Sequence, residues 1–297
     1  MMRRALPQRL LWEGRRVSCL GLRVDRPRED AHVLEQRIED ALEAGMSVLD
    51  TDLDGGAAAV GRVLAALEPV RRASLTVSCR LGFAPWPAPS ARDEGPDPLA
   101  AERHSLVPGF LAWSLDRVLA ELGLDRIDLA CVHFPEAQRR LVDEEAVHAQ
   151  LARAFERLEA EVAAGRLDGY GIATWSALTS PPGHPEHLEL ARVVEAAERA
   201  GGAEHHLRVV QLPVEGARAA TQTLPGGERV TALAAAEALG LRVMLEPSEF
   251  EQASDGALGE AIARSSPVAC ALVRPRSRPE LARLRELVLS AQPTREA

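Results

Sequence analysis

Short apolar runs alternate along this chain with longer segments whose apolar positions recur every three to four residues. The first pattern predicts buried strands and the second amphipathic helices. Leu10 to Glu13 and Arg16-Val17 flank Gly14 and read as a hairpin that would close the bottom of a barrel. Cys19 to Val24 is the first barrel strand. Asp30 to Ala44 follows as a helix, with Ala31, Leu34, Ile38, Ala41 and Leu42 at helical spacing and Gly45 as its stop. The alternation continues through strand Ser47 to Thr51, helix Gly56 to Leu67, strand Leu75 to Arg80, helix Gly109 to Leu122 and strand Ile127 to His133. Next come helix Glu144 to Ala164, strand Asp168 to Ala173, helix Pro185 to Ala200 and strand Leu207 to Gln211. Helix Arg229 to Leu239, strand Arg242 to Leu245, a helix near Gly256 to Ala263, strand Val268 to Val273 and helix Pro279 to Ser290 complete it.

Eight strand–helix units in 297 residues predict one α/β domain over residues 1–297, folded as a single (β/α)8 TIM barrel. A doubly wound sheet would need fewer strands and usually a glycine fingerprint after the first, which Gly21-Leu22-Arg23 does not supply. Proline-rich loops at Leu81 to Ala101 and Thr179 to Pro185 follow the third and fifth strands. In a barrel both lie at the C-terminal mouth, where active sites form.

Composition narrows the partners more than the fold. The chain is 46% apolar, and its 35 basic residues, all arginine and dispersed, stand against 44 acidic ones for a net charge of −9. That balance argues against a nucleic-acid groove or an anionic membrane as main partner. No apolar run approaches the roughly 20 residues that span a bilayer. Met1-Met2-Arg3-Arg4 leads into Pro7, Gln8, Arg9 and Glu13 rather than a signal core, so cytoplasmic residence is expected. A small-molecule ligand or substrate is the expected partner, and no protein partner can be read. Cys19, Cys79, Cys131 and Cys270 lie in apolar runs without C-x-x-C spacing and read as buried small hydrophobes.

Candidate chemistry gathers at the strand ends. Asp50, Asp52 and Asp54 end the second strand and would face His133, the composition of an oxygen-rich cation site or a carboxylate acid/base pair. Gly55-Gly56 signals a turn, so Asp54 also suits the cap of the next helix. His184, His187, His205 and His206 flank the fifth helix too widely to converge on zinc and read as surface histidines. Ser176, Ser180 and Ser248 have no evident base beside them, so no nucleophile and no metal site are predicted.

Ala41 to Thr51, Ser114 to Leu129 followed by His133, Ala164 to Ile172, and Val210-Gln211 together resemble the aldo-keto reductases in order and spacing over nearly the whole chain. The resemblance implies hydride transfer from NADPH to a carbonyl, with an aspartate, tyrosine, lysine and histidine at the mouth. Asp50 matches the aspartate and His133 the histidine. Gly55 stands where the tyrosine is implied and Arg80 where the lysine is, in a chain with no lysine and one tyrosine. That one, Tyr170, starts the fifth strand, opposite the mouth, and reads as a packing residue.

For the cofactor, the resemblance assigns carboxamide contacts to Gln211 and to Thr174, with Ala173-Thr174 standing for a serine–asparagine pair and Val214 for a stacking aromatic. Arg276, Ser277 and Arg278 match the loop that grips the adenosine phosphate, with Pro275 at its usual glycine. The leading expectation is an aldo-keto-reductase-like protein with a degenerate tetrad. It would bind NADPH or another anionic ligand without ordinary carbonyl reduction, as a pseudoenzyme. The first alternative is an active NADPH-dependent oxidoreductase whose proton comes from water, Asp54 or His133. The other is a non-redox lyase, isomerase or scaffold.

Overall fold

Runs such as Leu20-Gly21-Leu22-Arg23-Val24 and Val268 to Val273 are buried at every position. Their backbone groups are satisfied only in a ladder walled on both faces. The computed structural model has that ladder. It describes residues 5–25, 30–53, 56–83, 104–217, 220–247, 258–260, 262 and 266–291. Asp54, Gly55, Ser248 and most of the first proline-rich loop lie outside the described residues.

The chain opens with an antiparallel hairpin of β1 (Gln8–Trp12) and β2 (Arg15–Ser18), turned by Gly14 at φ 78°. The next strands are β3 (Leu20–Val24), β4 (Val48–Thr51), β5 (Thr76–Leu81), β6 (Ile127–His133), β7 (Leu167–Ala173) and β8 (Leu207–Pro213). A small hairpin of β9 (Thr221–Thr223) and β10 (Arg229–Thr231) precedes β11 (Arg242–Glu246) and β12 (Val268–Val273). Strands β3 to β8, β11 and β12 pair in parallel as a closed eight-stranded barrel. The ring is sealed where Ala271 of β12 pairs with Leu20 of β3.

Outside lie α1 (Ala31–Glu43), α2 (Gly56–Ala66), the short α3 (Pro69–Ala73), α4 (Pro108–Leu122), α5 (Glu144–Ala163) and α6 (Leu190–Gly201). The short α7 (Val214–Ala217), α8 (Ala232–Ala238) and α9 (Arg278–Ala291) complete the described helices that have continuous bounds. Residues 258–260 and 262 are helical as well, inside the helix expected near that place.

Two apolar clusters follow from strand alternation. One fills the space between barrel and helices. The other fills the barrel with Val48, Leu129, Cys131, Val209, Met244 and Cys270, and Leu11 and Val17 of the hairpin close its N-terminal end. Gly21 faces this interior, where an added Cβ would sit 2.8 Å from the Val48 Cβ and 2.9 Å from the Cys270 sulfur. All four cysteines are buried and unbridged.

Three local expectations are corrected. The helix expected from Pro185 begins at Leu190, because residues 184–188 form turns tied by the bond from Leu188 N–H to Ala177 O at 2.9 Å. The helix expected from Arg229 begins at Ala232, since Arg229–Thr231 pairs with Thr221–Thr223 and Thr231 caps α8 by accepting from Ala234 N–H. His187 is buried rather than on the surface, its Nδ1 bonded to Ser180 O at 2.8 Å and its Nε2 3.2 Å from Glu189.

Candidate active site at the barrel mouth

Alternation along parallel strands turns every second side chain inward, and the last inward residue of each strand meets the others at the C-terminal mouth. Here that layer is mostly charged. Arg23, Asp50, Ser78, Arg80, Gln211 and Glu246 are all buried.

Asp50 is its hub and has no exposed surface. Its Oδ1 accepts from the Ser78 hydroxyl at 2.5 Å and from Gln211 Nε2 at 3.2 Å, while Oδ2 lies 3.0 Å from Arg23 Nη1 and 3.2 Å from Arg80 Nε. Arg23 also pairs with Asp52, and Arg80 with Glu246. Glu246 pairs in turn with Arg274, whose Nε reaches Asp25 at 2.7 Å. Three guanidiniums and four carboxylates thus link β3, β4, β5 and β11 with the segment after β12. Burial pushes the Glu246 carboxyl up, but Arg80, Arg274 and Arg23 together hold it well below the usual carboxylate range.

Above this layer is a cavity of about 100 Å³ lined by Arg80, His133, Phe134, Thr174, Trp175 and Gln211, together with Ala173 and Glu246. Thr174 Oγ1 and Gln211 Oε1 are buried there without a hydrogen-bond partner. Such atoms are costly to leave unmet, so the cavity suits a ligand edge that both donates and accepts. Burial, then the Arg80 and Arg23 charges, push the His133 imidazole well below its ordinary pKa, so it is neutral at pH 7.

The rim is aromatic and tied by hydrogen bonds. Phe83 packs 4.5 Å from His104 and 5.2 Å from His133 between ring centroids. His104 is bonded through Nε2 to His133 O at 2.8 Å and through Nδ1 to Gln138 at 3.1 Å. Burial lowers its pKa to about 4, so it too is neutral. Phe134 adopts φ 55°, a left-handed conformation uncommon for a bulky residue, and turns the chain from β6 into a 3-10 helix, Pro135–Arg140. The fully buried Glu136 in that turn accepts from the N–H groups of Trp175, Ser176 and Ala177 at 2.7, 2.9 and 3.2 Å. This anchors the loop that presents Trp175, 41% exposed, to the cavity.

The sequence-derived candidates divide into two groups. Arg80, His133, Thr174 and Gln211 meet at the cavity, and Asp50 lies against Arg80 and Gln211. Arg276, Ser277 and Arg278 lie elsewhere, in a groove of about 280 Å³ against α1. Tyr170 is fully buried against Phe155 and donates to Glu159 at 2.8 Å, which leaves it out of the mouth. Asp54 lies outside the described residues.

Sequence reading missed Arg23, Asp25, Glu246 and the aromatic rim. A signal existed for the first and third, since each is a charge inside or ending an otherwise apolar strand run, a position tolerated only when paired. Among the described residues no group of three or more His, Cys, Asp or Glu side chains is arranged to hold a metal ion. No described helix is long and apolar enough to cross a membrane.

The chain matches no protein-family model and no curated protein sequence. Its fold is nevertheless that of solved aldo-keto reductases. Two structures from Pseudomonas aeruginosa assigned to that group superpose with TM-scores of 0.65 and 0.63, each at 17% identity over 96% of this chain and 94% of theirs. The holo form of an aldo-keto reductase from Bacillus halodurans superposes with a TM-score of 0.67 at 15% identity, over 98% of this chain and 93% of its own. At such identities the likeness is one of fold.

Proposed function

We propose that this protein binds a nicotinamide dinucleotide by its carboxamide end at the barrel mouth and does not carry out ordinary carbonyl reduction. The observation that carries this reading is the cavity itself, which pairs two unmet polar atoms, on Thr174 and Gln211, with an arginine locked between two carboxylates. A primary carboxamide donates to Gln211 Oε1 and accepts from the Thr174 hydroxyl, which meets both buried needs. NADPH was the cofactor expected from sequence. The mouth fits its carboxamide, whereas the loop of Arg276 and Arg278 does not fit its distinguishing phosphate, so no chemical step is routed through it.

Reduction of a carbonyl needs a proton for the developing alkoxide, supplied by a group whose pKa lies near the working pH. Arg80 is a guanidinium held between Asp50 and Glu246, which supplies a fixed charge rather than a proton. Glu246 is held ionised, and His133 is neutral with its conjugate acid far below pH 7. No described side chain lining the cavity therefore serves as the acid. The alternative of an active oxidoreductase using His133 loses its donor on the same ground.

Titrating the protein with NADH and NADPH while following nucleotide fluorescence tests the binding half. Saturable binding that weakens about tenfold or more in Gln211→Leu, an outcome in keeping with loss of one buried hydrogen bond to a polar ligand, supports it. Absence of binding by either nucleotide refutes it and favours a scaffold or non-redox role.

A further inference from the structure

We infer that the loop carrying Arg274, Arg276 and Arg278 does not select for an adenosine 2′-phosphate, so that NADH binds at least as tightly as NADPH; this rests on the dinucleotide reading above. An arginine cluster beside a helix N-terminus is ordinarily an anion site, built from forked guanidiniums and free backbone N–H groups. Two of the three guanidiniums, and the backbone N–H of the third arginine, are already engaged here by the chain's own carboxylates.

Arg278 grips Asp40 of α1 with two bonds, Nε to Oδ2 at 2.8 Å and Nη2 to Oδ1 at 2.6 Å, and lies 4.0 Å from Glu43. Arg274 is drawn inward to Glu246 and Asp25. The N–H of Arg276 donates to Glu280 Oε2 at 2.8 Å, while Glu280 N–H reaches the Ser277 hydroxyl at 3.4 Å, so a carboxylate already sits over the start of α9. Pro275 contributes no N–H at all.

An exposed ion pair such as Arg278–Asp40 is weak and salt-screened, so a phosphate dianion could draw Arg278 away. Doing so would leave the phosphate close to Asp40, Glu43 and Glu280, whose repulsion offsets the attraction of the arginines. A ribose bearing free hydroxyls carries no charge and suffers no such repulsion. The groove therefore discriminates by charge in the sense opposite to a phosphate clamp.

The test is calorimetric titration of the intact protein with NADH and with NADPH, repeated on Asp40→Ala, whose site is a partly exposed position on a surface helix. The expected result is NADPH no tighter than NADH in the wild type, with Asp40→Ala tightening NADPH several-fold and leaving NADH unchanged. NADPH about tenfold or more tighter than NADH in the wild type would overturn the inference and leave the dinucleotide reading standing. An Asp40→Ala variant that is folded by circular dichroism yet binds NADPH no better would overturn the role given to Asp40. Failure of both nucleotides to bind would remove the reading and the inference together.

Discussion

At the scale of single residues, Arg80 and Glu246 carry most of the account. Breaking a buried ion pair by removing one partner costs about 3–5 kcal/mol, because the remaining charge is left uncompensated. Glu246→Gln is therefore predicted to lower unfolding stability by that amount at pH 7 in urea titrations. Its folded pKa lies below the unfolded carboxylate value, so its contribution is present above that value and is lost as pH falls through the folded pKa. The gap between wild type and Glu246→Gln should accordingly narrow below about pH 4. Tyr170→Phe removes a hydrogen bond to Glu159 of α5, outside the barrel wall and away from the cavity. It should cost about 1.5 kcal/mol of stability and leave nucleotide titrations unchanged; a loss of binding would return the phenol to the site.

Much of the site was legible at this scale, since Asp50, Arg80, His133, Thr174 and Gln211 meet as the motifs implied. The partners of Arg80 were not. Glu246 and Asp50 are separated by about two thirds of the chain, and only barrel closure brings them onto one guanidinium. Arg278 was legible as a cation but not as one already paired, because Asp40 presents itself in sequence as an ordinary polar position on a helix.

At the scale of elements, strands and long helices were readable from periodicity to within a few residues. The misses have local causes. The helix start at Leu190 was hidden because residues 185–189 keep helix-compatible polarity while the segment is held in turns, and Arg229–Thr231 was hidden because a three-residue strand gives no period to read. Close packing between elements was also silent in sequence. Gly61 of α2 sits where an added Cβ would come within 2.5 Å of Glu121 O and 2.8 Å of Leu122 O, at the end of α4. Alanine would gain helix propensity in water, but here it must push two backbones apart. Gly61→Ala is predicted to destabilise the protein by about 1–3 kcal/mol, measurable as a shift in urea midpoint, whereas an unchanged or raised midpoint would mean that α2 and α4 yield easily.

At the scale of the whole molecule, the barrel and its chemistry have separate determinants. The fold needs inward apolar layers, a plugged lower end and amphipathic helices, and these persist at 15–17% identity to solved aldo-keto reductases. The reaction needs a proton donor as well, and under the proposed reading the described mouth supplies instead a belt of arginines and carboxylates. Such a belt joins neighbouring strands at their C-terminal ends, so it also stiffens the rim around the cavity.

The most direct test of the central claim is hydride transfer itself, followed as oxidation of NADH and NADPH with a panel of small aldehydes and quinones. The account predicts consumption no faster than in buffer, with nucleotide binding intact. Saturable turnover that disappears in folded Asp50→Asn and His133→Ala variants would contradict it and return the mouth to carbonyl reduction.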